Sequence, residues 1–325
     1  MTRPNSPSWS ASLLRRDLSA RASHLAATQK LLHDIHPGPE PIVIFGRDEY
    51  GRHGNFHPAS YENICANPPW LRRLTKPHTA SRRSRSRKDW QWKELDSANS
   101  SDALLMNIFC HPEVFDGTTL APAVVNLLNV EAIAQPCFGI HPGVPLLNGH
   151  LDRTEIDLQL GNIFLEAKLT ESSFQTAAPR LIERYRDLET VFDITRLPRK
   201  ILYSAPSHQS VEDISQIEYQ IDFQPEESAA SPAPPHSPTT ASRTLIHGYQ
   251  LIRNVLAAYA ADAAFCVLCD ARRHDLIETW YSILSAVHRP TFATRLKLLT
   301  WQELSTTLPH DLQQFLEAKY GILPT

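Results

Sequence analysis

The stretch Thr154-Glu155-Ile156-Asp157-Leu158-Gln159-Leu160-Gly161-Asn162-Ile163-Phe164-Leu165-Glu166-Ala167-Lys168 holds two runs of alternating apolar residues around Gly161-Asn162. That pair suits a two-residue hairpin turn, which needs positive φ. With the turn there, Leu160 pairs with Ile163, Gln159 with Phe164, Leu158 with Leu165, Asp157 directly with Glu166, and Glu155 with Lys168. Side chains alternate between faces, so Asp157, Glu166 and Lys168 share one face while Ile156, Leu158, Leu165 and Ala167 take the other. Two carboxylates directly opposite lie about 4.5–5.5 Å apart at Cβ and repel. A divalent cation reverses that sign, and oxygen ligands of this kind suit Mg²⁺ or Mn²⁺. Lys168 would orient or help deprotonate an attacking water and offset charge on a phosphoryl transition state, with the ion as Lewis acid. The plain alternative is a cross-strand ion pair of Glu155 with Lys168 on a solvated face.

Outward from the hairpin, Ser100-Ser101-Asp102 ahead of Ala103-Leu104-Leu105-Met106-Asn107-Ile108-Phe109 predicts an N-capped helix, and a second helix follows over 120–134. Strands are expected over 139–147, 155–160, 163–169 and 200–203, and a helix over 178–192. Beyond them come a helix over 247–261, a buried strand over 264–270, a helix over 276–287, a strand over 295–300 and one or two helices over 301–320. Before the hairpin, the pattern gives a helix over 11–33 and a strand over 41–46. A loop-rich passage follows, with Asn55-Phe56-His57-Pro58 and Asn67-Pro68-Pro69-Trp70. Strands alternating with helices define an α/β chain.

Asp157, eight residues, then Glu166-Ala167-Lys168 across a hairpin resembles the PD-(D/E)XK nuclease superfamily, the restriction-endonuclease-like fold. Ile156-Asp157 stands where that motif has Pro-Asp. The resemblance implies an αβββαβ core with a central mixed sheet flanked by helices, plus an N-terminal extension. It also implies a Mg²⁺- or Mn²⁺-dependent endonuclease acting on DNA, with the Ala167 carbonyl as a third ligand beside Asp157 and Glu166. Some nucleases of this superfamily place a Gln in the helix after the lysine, which makes Gln250 a further candidate, with a capping or packing Gln as the alternative. Glu166 to Glu171, Tyr249 to Asn254 and, less distinctly, Asn55 to Tyr61 and Asn67 to Leu74 resemble a bacterial restriction-endonuclease family within the superfamily. Superfamily membership does not set the substrate, so a non-catalytic DNA- or partner-binding module on the same fold is the alternative. Asp102 and Glu131 are either an additional acid near the metal or helix-end charges. Arg253 is either a phosphate contact or a surface arginine.

The expected division is an extension over 1–98 and a nuclease domain over 99–325, with an insertion at about 170–243 that includes a disordered Pro/Ser-rich segment, 224–242. The formal charge of −3 over 325 residues argues against binding nucleic acid by bulk charge. It is an average, however. The arm at 72–93 carries nine basic residues and one acid, a local +8 that leaves −11 elsewhere, and it is too charged to pack. Arg82, Arg83, Arg85, Arg87 and Lys88 are its candidate phosphate contacts, with Trp70, Trp90 and Trp92 available for base stacking.

Five cysteines, mostly in apolar runs, imply no disulfide framework and a reducing cytoplasm. Cys266 and Cys269 fall on opposite faces of one strand and read as buried thiols. No signal peptide or membrane span is evident. The absence of a Walker loop, a Gly-x-Gly-x-x-Gly turn and a Gly-x-Ser-x-Gly elbow gives no support to a nucleotide cofactor or serine hydrolase. A homodimer is left open. His53 and His57 have metal-like spacing, but the sequence shows no third ligand for them.

Overall fold

The computed structural model describes residues 8–77, 93–203 and 242–325. Five strands make the central sheet: β1 (Pro136–Ile140), β2 (Ile156–Leu160), β3 (Ile163–Ala167), β4 (Ala264–Cys269) and β5 (Leu296–Thr300). Their spatial order is β5-β4-β3-β2-β1. β1, β2 and β3 pair antiparallel, whereas β3, β4 and β5 pair parallel, so the sheet is mixed and the chain is α/β.

Alternation along these strands supplies two apolar faces. Leu158, Leu160, Ile163, Leu165, Cys266 and Leu268 pack with the Ser101–Phe109 helix and the C-terminal helices. Phe164, Phe265, Val267 and Cys269 pack with the Tyr249–Ala260 and His274–Ser285 helices. Cys266 and Cys269 thus lie on opposite faces, as expected. The N-terminal helix Ala11–Gln29, a turn at Phe56 and the two short helices after it contribute Leu14, Leu18, Phe56, Ile64 and Trp70 to the first of these cores.

Hairpin register agrees with expectation over Leu158–Leu165, Gln159–Phe164 and Leu160–Ile163, and Gly161 adopts positive φ at the turn. The ladder ends there. Asp157 and Glu166 do not form the expected backbone pair. Instead Asp157 Oδ2 accepts the Ala167 N–H at 2.8 Å, a side-chain oxygen standing in for a ladder carbonyl. Ile156 packs in the second core although Leu158 packs in the first, so strict alternation also breaks at Asp157.

Other elements depart from the expectations for local reasons. The first helix stops at Gln29 because Lys30 turns left-handed, and His33–His36 then pairs with Ile42–Phe45. Pro58 and Pro68, read as loop markers, instead begin the helices Pro58–Ala66 and Pro68–Arg73, positions where the missing N–H costs nothing. The helix expected over 120–134 is the shorter Pro122–Leu128, closed by left-handed Asn129. That expected over 178–192 splits into Pro179–Ile182 and Leu188–Val191. Val144–Pro145 leaves the central sheet to pair with Leu151–Asp152. Arg199–Tyr203 joins Ser242–His247 and Thr176–Ala177 in a separate sheet, so Ser242, expected in the disordered segment, begins a strand. The rest of 224–242 lies outside the described residues. Among the described residues no helix is long and apolar enough to cross a membrane.

Candidate active site

Glu166 is the fourth residue of β3, on the face covered by the Tyr249–Ala260 helix, and it is fully buried. Three donors hold its carboxylate. Gln250 Nε2 donates to Oε1 at 2.5 Å, Lys168 Nζ lies 2.9 Å from the same oxygen, and Asn254 Nδ2 donates to Oε2 at 2.7 Å. Gln250 and Asn254 are four residues apart and so present one helix face. Gln250 is an expected member of this group and Asn254 is not. Its signal is that spacing, visible once Gln250 is placed. Thr154 Oγ1 donates to Asn254 Oδ1 at 3.1 Å and sets which way the amide points.

Lys168 turns inward. Its own carbonyl accepts the Trp301 indole N–H at 2.9 Å, its amide donates to Leu268 O at 2.8 Å, and its ammonium lies 5.9 Å from the centre of the Phe174 ring. Burial works against the charge of Lys168, but Glu166, Glu171 and Asp157 overcome this and hold its proton above the ordinary lysine range. Burial also raises Glu166, against the opposing effect of Lys168. Asp157 rises well above the ordinary range through burial, then through Glu166 and Asp102. The repulsion of Asp157 by Glu166 and Asp102 favours a cation, or a proton, at its carboxylate.

Asp102, read as a possible helix-end charge, is buried in the first turn of the Ser101–Phe109 helix and faces this group. Arg73 Nη2 lies 2.7 Å from Asp102 Oδ2 and 2.5 Å from Glu155 Oε1. Lys76 Nζ lies 3.0 Å from Glu155 Oε1, 3.2 Å from Glu94 Oε2 and 3.4 Å from Asp102 Oδ2. Glu155 therefore pairs with Arg73 and Lys76, and the expected Glu155–Lys168 pair does not form. The start of the basic arm corrects a second expectation: Arg73 does pack, because Asp102 and Glu155 offset its charge. Burial opposes the charge of Arg73, and those two acids raise its proton affinity regardless. Gly139 makes the approach possible. It sits in β1 at φ +63°, and a Cβ there would meet the Arg73 guanidinium. Arg72, Arg73, Thr75, Lys76 and Phe138 line an open groove at this place.

Arg253 is half-buried, with its guanidinium carbon 5.3 Å from the centre of the Tyr249 ring, and its charge acts on Glu166. Glu131 is exposed in the turn after the Pro122–Leu128 helix. Arg82, Arg83, Arg85, Arg87 and Lys88 lie outside the described residues, as do Trp90 and Trp92. His53 Nε2 lies 3.2 Å from Asp96 Oδ1 and does not share a site with His57.

A family model described as Restriction Endonuclease associating with ARP matches residues 22–321. No curated protein and no solved structure matches the chain.

Proposed function

The chain belongs to the family of restriction endonucleases associating with ARP, and we propose that it is a metal-dependent endonuclease hydrolysing DNA phosphodiester bonds. The observation that carries the reading is the inward Lys168 paired with buried Glu166, beside Asp157, under the Gln250 and Asn254 amides. A solvated-surface ion pair would need none of that support. The order Ser101–Phe109 helix, β1, β2, β3, Tyr249–Ala260 helix, β4 also follows the αβββαβ core of the restriction-endonuclease-like fold. In this reading 99–325 is the nuclease domain, with an insertion near 170–243, and 1–98 is an extension that shares its core.

The donor set fits a hard divalent ion, Mg²⁺ or Mn²⁺. Asp157 Oδ2 is occupied by the Ala167 N–H, which leaves Oδ1 for the ion. Asp157, Glu166 and the Ala167 carbonyl are the groups that would hold the ion, which supplies Lewis acidity at the phosphate when bound. Lys168, whose proton Glu166, Glu171 and Asp157 hold above the ordinary lysine range, is placed to orient water and offset charge on the phosphoryl oxygens. Gln250 and Asn254 fix the Glu166 carboxylate, and Arg253, whose charge acts on Glu166, is the candidate phosphate contact on this side. The groove of Arg72, Arg73 and Lys76 would lead a nucleic-acid backbone to the acids, and the sequence supplies further candidate phosphate contacts among the basic residues of 82–88.

Purified chain incubated with plasmid DNA and Mg²⁺ or Mn²⁺ should give nicked or linear product, and Asp157→Ala should give none. Intact plasmid with both ions, or an Asp157→Ala variant as active as the parent, rejects the reading.

A further inference from the structure

Away from the acids, His57, His111 and Asp311 converge from three segments distant in sequence. His57 caps the start of the Pro58–Ala66 helix, His111 follows the end of the Ser101–Phe109 helix, and Asp311 lies in the first turn of the His310–Tyr320 helix. One ligand atom from each lies within 4.8 Å of the other two. Asp311 Oδ2 is 3.6 Å from His57 Nε2 and 3.5 Å from His111 Nε2, and the two rings are 5.0 Å apart between centroids.

Those separations do not suit hydrogen bonds. At 3.5–3.6 Å the carboxylate is beyond ordinary reach, and His111 Nε2 is left buried without a hydrogen-bond partner in a side chain only 1% exposed. A buried nitrogen aimed at a carboxylate it does not bond calls for an explanation. A cation between them supplies one. Ligands about 2.0–2.1 Å from a tetrahedral zinc ion stand roughly 3.3 Å from one another, close to the 3.6 and 3.5 Å from Asp311 Oδ2 to the two imidazoles, and all three ligand atoms lie within 4.8 Å of one another. Asp311 Oδ1 already accepts the Leu312 N–H at 2.8 Å, which leaves Oδ2 for the ion. Asp311 is 54% exposed, so a fourth position opens to water.

We infer that His57, His111 and Asp311 form a zinc site, separate from the acids of the proposed active site. Two imidazoles and one carboxylate suit a first-row divalent ion and not the all-oxygen preference of Mg²⁺. Zinc on His111 Nε2 places the ring proton on Nδ1, so the weak 3.3 Å contact from Glu113 N–H is given up on binding. The ion would tie the segment before the Pro58–Ala66 helix, the end of the helix that carries Asp102, and the C-terminal helix to one point. His53 and His57, close in sequence, part in the fold: His53 turns to Asp96, and His57 meets His111 and Asp311.

The test is calorimetric titration of the full chain with Zn²⁺, in the parent and in an Asp157→Asn background that weakens ion binding at the catalytic acids. One equivalent should bind in both and raise the melting temperature of both. Asp311→Asn, an exposed and structurally mild change, should weaken that equivalent at least as much as loss of an outer-shell partner does, roughly 10–100-fold, and should remove the thermal shift. His57→Gln should do the same, and Co²⁺ should give tetrahedral visible bands in the parent that Asp311→Asn lacks. No bound equivalent in the Asp157→Asn background, or one that Asp311→Asn leaves intact, overturns the inference.

Discussion

Replacing Asn254 with Leu keeps much of the side-chain volume but removes the amide that donates to Glu166 Oε2 at 2.7 Å and accepts from Thr154. Glu166 is already raised above the ordinary glutamate range by burial, with Lys168 opposing. The folded chain therefore keeps a proton that the unfolded chain releases, and stability falls as pH rises from the ordinary range through the folded value. Asn254 limits that fall because it supports only the ionised carboxylate well. A hydrogen bond to a charged group contributes about 1.5–3 kcal/mol. At about 1.36 kcal/mol per unit, its loss moves Glu166 upward by roughly one to two further units. Urea unfolding of parent and Asn254→Leu, stepped from about pH 4 to about pH 8, should show a stability difference that widens by about 1.5–3 kcal/mol as Glu166 ionises. At the acid end about 1 kcal/mol should remain, from the lost Thr154 bond. A difference of the same size across the whole range would refute the reasoning, because it would mean that Asn254 contributes packing alone.

Arg73→Met leaves Asp102 and Glu155 with Lys76 as their remaining cation, and breaking such a buried cluster should cost roughly 3–5 kcal/mol in chemical denaturation, toward the lower end because Lys76 stays. Gly139→Ala should cost about 1–2 kcal/mol for the left-handed backbone alone. It should also reduce DNA cleavage, since the new Cβ displaces the Arg73 guanidinium. Lys319 is buried among the Phe45, Phe315 and Tyr320 rings and donates to the Gly54 and Asn55 carbonyls, without a carboxylate partner among the described residues. Burial pushes its ammonium well below the ordinary lysine range, so the unfolded chain binds the extra proton and stability should rise with pH up to the ordinary lysine value. Lys319→Met should lose that rise relative to the parent, and parallel pH dependences would count against a depressed Lys319.

Much of the site was legible because short-range geometry specifies it. Gly161-Asn162 and the apolar alternation around it set the register of three residue pairs, and that register brings Glu166 to the face opposite Leu165. The end of the ladder was not legible. Pairing rules extend a hairpin until something stops it, and here the stop is the Asp157 side chain taking a backbone N–H, a choice made by tertiary contacts with Ala167. Prolines misled for a related reason: Pro58 and Pro68 start helices, and a helix start and a turn read alike until the following residues find a core. The basic arm misled through composition, since a run of cations looks solvated unless the acids that meet two of them, Asp102 and Glu155, can be placed.

The amino-acid sequence by itself determined the α/β class and the hairpin with its first three pairs, and it nominated Asp157, Glu166 and Lys168, because period-two alternation and turn chemistry act within a few residues. Only the tertiary structure decided what surrounds that set. Arg73 reaches it from 82 residues before Glu155, and Gln250 and Asn254 from 84 and 88 residues after Glu166. The convergence of His57, His111 and Asp311 was likewise invisible in the chain. Charges and ligands act through distance in space, and local pattern carries no measure of that distance once the chain has turned back on itself.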